Sequence, residues 1–93
     1  MVEVRFFTTL RDITQTKNLE VKVSSSTTVE DLVCLLSKRY GCRFREYVYD
    51  ETGQMRPHLQ YLVNGRNVNS LNGLKTILKN EDSVAIIPPV GGG

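Results

Sequence analysis

The sequence predicts an α+β domain in which a mixed sheet of four to five strands packs on one main helix. Three observations carry this. Two stretches near the start alternate apolar and polar residues, a middle stretch switches to helical spacing, and a further alternating stretch and a β-branched run close the chain. At 93 residues the chain has room for one such layer pair, since a domain of this size buries only roughly 60–65% of its unfolded surface.

The first strand is read in Val2–Leu10, where Val2, Val4 and Phe6 alternate with Glu3, Arg5 and Phe7. The second is read in Leu19–Ser24, with Leu19, Val21 and Val23 on one face. The polar stretch between them, RDITQTKN, is expected to be a hairpin connection, which makes the two strands an antiparallel pair. The helix follows. Val29, Leu32, Val33, Leu36 and Tyr40 recur at helical spacing. Thr27 or Thr28 is placed to cap it, and Glu30 and Asp31 suit the positive end of its dipole. Lys38 and Arg39 suit the other end, and Gly41 offers a left-handed stop.

Cys42–Pro57 carries the weakest pattern, with a short helical or extended piece around Phe44–Tyr49 and a turn at Asp50–Gly53. Leu59, Tyr61 and Val63 alternate up to Asn64-Gly65, the dipeptide that best fits a two-residue hairpin turn. RNVN should be a short strand, one helical turn is expected around Leu74–Leu78, and SVAIIP (Ser83–Pro88) reads as the last strand. A hairpin, a helix and returning strands match the β-grasp arrangement, with the last strand parallel to the first. Residues 1–88 form the domain and 89–93 an extended, flexible glycine tail.

Composition narrows the function classes. The chain is 40% hydrophobic and 24% charged, with net charge +2 and two cysteines. No Lys/Arg stripe interleaved with aromatics suggests nucleic-acid binding. No apolar run approaches a membrane span, and the N-terminus lacks a signal-peptide core, so the cytosol is the expected compartment. His58 is the sole histidine and has no second metal ligand nearby. Cys34 is read as a small hydrophobe at the core edge, and Cys42 follows a helix C-terminus, where the dipole disfavours a thiolate. No carboxylate is paired with a nucleophile or base. The folded body is expected to be non-catalytic and to bind no cofactor or metal.

The tail is different. Ala85–Gly93 reads AIIPPVGGG, so a strand gives way to a stiff Pro-Pro pair and then to bare backbone. Six residues beyond Ile87 reach at most about 20 Å. The arrangement is a folded handle with a thin arm and a carboxylate at its tip.

The tail VAIIPPVGGG, the turn VNGR, the opening VRFFTTLRD and the middle FREYVYDETGQMRPHLQYLVNGRNV together resemble the small subunit of molybdopterin synthase and its sulfur-carrier relatives. Those relatives include the thiamine-pathway carrier and small archaeal ubiquitin-like modifiers. The resemblance covers nearly the whole chain and implies the same β-grasp fold. It implies that a ubiquitin-activating-type adenylating enzyme uses ATP to adenylate the carboxylate of Gly93, that sulfur then replaces AMP, and that the arm enters the molybdopterin synthase large subunit to donate sulfur for the molybdenum cofactor. Gly92 is the partner glycine, and Gly91 stands where the family usually carries alanine or another small residue. Gly91 and Gly92 would thread channels shaped for bare backbone. With Gly93 last, no processing protease is expected.

The face of the sheet away from the helix is expected to dock partners through Phe7, Leu62 and Ile87 with Ala85, and the root of the arm through Pro88, Pro89 and Val90. Arg11 matches a basic position of the family and is a candidate contact for the activating enzyme. Two other uses of the same tail stay open: conjugation of Gly93 to lysines of target proteins, and sulfur supply for thiamine.

Overall fold

The computed structural model describes residues 1–56 and 59–87. Five strands form one mixed sheet: β1 (Val2–Phe6), β2 (Asn18–Val21), β3 (Gln60–Val63), β4 (Arg66–Asn67) and β5 (Ser83–Ile87), in the order β2-β1-β5-β3-β4. β1 and β5 run parallel, with Val4 opposite Val84 and Phe6 opposite Ile86. The remaining neighbours are antiparallel. This is the β-grasp fold, and the last strand lies beside the first, where the sequence places it.

The inward side chains of the sheet are Val2, Val4, Phe6, Val84 and Ile86, with Tyr61 and Val63 from β3, all buried. They pack under α2 (Val29–Tyr40), whose Val29, Leu32, Val33 and Leu36 are buried at helical spacing. Burying an aliphatic side chain of this size stabilises by about 1.5–3 kcal/mol, so this stripe holds the helix to the sheet. The start of α2 is fixed reciprocally. Thr28 Oγ1 accepts from Asp31 N at 3.1 Å, and Asp31 Oδ2 accepts from Thr28 N at 3.1 Å. Thr28→Ala removes half of this capping box and should cost about 1 kcal/mol, a fall of about 4–8 °C in melting temperature. Thermal unfolding measures it, and an unchanged midpoint would show the cap to be idle.

Two shorter helices accompany the main one. The stretch expected to be a hairpin connection is α1 (Thr8–Thr14), so the first strand ends at Phe6 rather than Leu10. Leu10 and Thr14 are buried and Ile13 is partly so. That three-to-four spacing turns one side of a short helix inward. α3 (Cys42–Val48) resolves the weak middle stretch as helical. It follows α2 after a single residue, Gly41, at φ 85° and ψ −157°. A side chain is strained in that backbone region, which lets glycine break one helix and start the next at once.

α3 lies on the same side of the sheet as α2. Phe44 is fully buried, stacked on Tyr40 at 5.9 Å between ring centroids and edge-on to Phe6 at 6.3 Å. The Asp50 carboxylate closes the following turn, with Oδ1 accepting from Thr52 Oγ1 at 2.6 Å, Thr52 N at 2.9 Å and Gln54 N at 3.1 Å. The Thr52 hydroxyl, then the backbone amides, hold that carboxyl below its ordinary pKa. At the far hairpin Asn64 and Gly65 both have positive φ, 52° and 83°, as a type I′ turn requires. Burial pushes the Tyr61 phenol above its ordinary pKa, and its hydroxyl finds no hydrogen-bond partner among the described residues.

Candidate functional site

β5 is the strand that leads into the tail. It sits third of five, hydrogen-bonded to β1 on one edge and β3 on the other. Its residues alternate in burial: Val84 and Ile86 point into the core, while Ser83, Ala85 and Ile87 are partly exposed on the opposite face. An arm rooted in a central strand inherits a fixed position, because pulling on it loads two ladders rather than one.

The registers define what surrounds that root. Arg5, Ala85, Leu62 and Asn67 lie in one row across β1, β5, β3 and β4. Gln60 lies opposite Ile87 in the next row towards the tail. Ala85, Leu62 and Ile87 are half-buried and share the outer face of the sheet, where they make a small apolar centre. Phe44 of α3 packs edge-on to Phe6 on the inner face. Phe7 has extended dihedrals and is 40% exposed, continuing the outward parity of Glu3 and Arg5 just past β1. Polar residues rim the centre: the Arg5 Nε–Glu3 pair at 3.0 Å on one side and Gln60 and Asn67 on the other. An apolar centre with a polar rim is the composition of a protein-docking surface.

Of the residues singled out from sequence, the structure brings Leu62 and Ile87 together around Ala85 and leaves Phe7 exposed at the end of β1. Arg11 is exposed on α1, away from strand parity. Pro88, Pro89, Val90, Gly91, Gly92 and Gly93 lie outside the described residues, as does His58. Arg5 was passed over, although its odd position in β1 places it across from Ala85. Cys34 is corrected: it is exposed on the outer side of α2 and lines a cleft of about 500 Å³ with Arg45, Tyr49 and Asp50, not the core edge. Cys42 is exposed as well. Among the described residues no group of three or more His, Cys, Asp or Glu could hold a metal ion, and no helix is long and apolar enough to cross a membrane.

The sequence profile of the ThiS family matches residues 4–93, from β1 through the last glycine. The chain belongs to the ThiS family. Across 92 residues it is 36% identical to small archaeal modifier protein 3 of Haloferax volcanii, covering 99% of this chain and 98% of that protein. Across 66 residues it is 39% identical to a protein of Archaeoglobus fulgidus provisionally named a sulfur carrier, covering 71% of this chain and 74% of that one. A solved structure from Pyrococcus furiosus, provisionally named subunit 1 of a molybdopterin converting factor, is 29% identical and superposes with a TM-score of 0.74 over 96% of this chain and 97% of that one. This ThiS-family chain therefore stands among sulfur carriers and ubiquitin-like small modifiers.

Proposed function

We propose that the protein is a sulfur carrier of the molybdopterin-synthase type, in which the Gly93 carboxylate is the working group and the folded body is what other proteins hold. The observation that carries this reading is the root of the arm. A strand paired on both edges leads, in sequence, into a glycine-ended tail, beside the half-buried apolar side chains of Ala85, Leu62 and Ile87. Membership of the ThiS family and likeness to a molybdopterin converting factor subunit support it.

The chemistry follows from the end group. A free carboxylate is a poor acyl donor. An adenylating enzyme lets a Gly93 oxygen attack the α-phosphate of ATP, and pyrophosphate leaves. Hydrosulfide then attacks the acyl carbon and AMP leaves with the oxygen it bridges, giving a terminal thiocarboxylate. Gly91 and Gly92 present no Cβ, so the acyl carbon can approach a buried nucleophile closely. The body supplies none of these reacting groups. ATP belongs to the activating enzyme.

The outer face is the grip. Leu62→Glu should leave the fold within about 0.5 kcal/mol, since Leu62 is only half-buried. A charge in the centre of the patch should weaken association with the activating enzyme by about 2 kcal/mol, roughly thirtyfold in KM for the carrier. Equal KM for Leu62→Glu and the wild type would remove the patch from the account.

The pathway is tested by supplying the thiocarboxylated chain to a molybdopterin synthase large subunit and following dithiolene formation on the sulfur-free pterin precursor. Product formation supports the carrier reading. A second reading, conjugation of Gly93 to target lysines, draws on the modifier from Haloferax volcanii that matches the chain end to end. Activated chain that yields lysine-linked conjugates but no dithiolene decides for the modifier.

A further inference from the structure

Asn64 carries a chemistry that neither the fold nor the carrier reading uses. It precedes Gly65 in an exposed turn. Asparagine is a thermolabile residue, and a following glycine has no Cβ to hinder its own backbone nitrogen. That nitrogen can attack Asn64 Cγ, the Cγ–Nδ2 bond breaks, and Nδ2 leaves as ammonia. Solvent water then opens the resulting succinimide at either carbonyl, giving aspartate or isoaspartate at position 64. Water is the only co-reactant.

The structure holds this amide by every polar atom it has. Asn64 Nδ2 donates to Asp82 Oδ1 at 2.9 Å, and Asn64 Oδ1 accepts from Ser83 N at 2.9 Å. The Asn64 backbone N donates to Ser83 O at 2.8 Å. The other Asp82 oxygen accepts from Lys79 N at 2.8 Å, which fixes the carboxylate in turn. The clamp joins the β3–β4 turn to the first residue of β5, the strand that carries the arm. For the ring to close, Cγ must swing towards Gly65 N, and both side-chain bonds must first break.

We infer that Asn64-Gly65 is a deamidation site guarded in the native state by the clamp to Asp82 and Ser83, and that deamidation unfastens the start of β5. The product loses the Nδ2 donor and sets a second carboxylate against Asp82 at hydrogen-bond distance. Isoaspartate also adds a methylene to the backbone of a two-residue turn that joins Val63 to its strand partner Arg66.

The test follows the peptide containing position 64 in chain held in warm, mildly alkaline buffer, with and without denaturing urea, by mapping its asparaginyl, aspartyl and isoaspartyl forms. Native wild-type chain should deamidate at least about tenfold more slowly than unfolded chain, because reaction requires local opening. Folded Asp82→Ala should react severalfold faster than folded wild type. Equal rates in native and unfolded wild type overturn the guard. For the consequence, Asn64→Asp should lower the melting temperature by about 5 °C, and adding Asp82→Asn, which removes one charge, keeps an oxygen to accept from Lys79 N and supplies an amide donor to the new carboxylate, should restore most of it. An Asn64→Asp chain that melts with the wild type overturns the unfastening.

Discussion

Replacing Gly93 by leucine should abolish adenylation while leaving the fold intact. β5 ends at Ile87, six residues before the tip, so the melting temperature should not move. The acyl carbon must meet the α-phosphate of ATP inside another protein, and displacing a reacting group by about 1 Å can cost about a hundredfold. A branched side chain at the tip displaces it further. ATP–pyrophosphate exchange should therefore fall by at least about a hundredfold, and deletion of Gly92 and Gly93 should match it. Gly93→Ala tests how tight the channel is and should give an intermediate loss. Full exchange activity in Gly93→Leu would mean that the tip is not the working group.

The largest effect on stability is expected at Phe44. Its ring is fully buried, stacked on Tyr40 and edge-on to Phe6, so it joins α3 and the end of α2 to the first strand. Phe44→Ala should cost about 3–5 kcal/mol through lost burial and the cavity left behind. The whole domain has only about 5–15 kcal/mol to lose, so a large part of the chain should be unfolded at modest denaturant. Denaturant unfolding should show a lower midpoint with an unchanged slope. Leu35→Ala, on the outer side of α2 at 46% exposure, is the matched control and should stay within about 0.5 kcal/mol of wild type. Equal loss at both positions would mean that the aromatic cluster does not hold α3 in place.

Where period and punctuation agreed, the sequence was legible. α2 shows a full apolar stripe, a capping threonine and a glycine stop. β3 alternates through Leu59, Tyr61 and Val63, β5 is a β-branched run, and Asn64-Gly65 marks its turn with a dipeptide that tolerates two positive φ values. α1 escaped notice because its seven residues include three threonines and offer only Leu10, Ile13 and Thr14 as an inward face. That is less than two turns, and strand alternation from Val2 to Phe6 runs into it without a break. α3 carried a helical signal in Phe44, Tyr47 and Val48, but a pattern of that length also fits a buried strand.

The site was half legible. The glycine tip and the outward parity of Leu62, Ala85 and Ile87 follow from sequence. The sequence places β1 beside β5, but the register that sets Arg5 opposite Ala85, and the pairing of β3 on the other edge, depend on long-range contacts that no local pattern encodes. Cys34 stands off the helical stripe of Val29, Leu32, Val33 and Leu36, beside the exposed Leu35, so its exposure is written in the local spacing and the core-edge reading rested only on its adjacency to Val33.

The most direct test is the intact mass of the chain after incubation with an activating enzyme, ATP and a sulfur donor. If the Gly93 carboxylate is the chemical centre of the protein, the mass rises by the difference between one sulfur and one oxygen atom, and fragmentation places the change at residue 93. A chain that is adenylation-competent in mixture with its enzyme yet gains its sulfur at Cys34 or Cys42, or gains none, contradicts it.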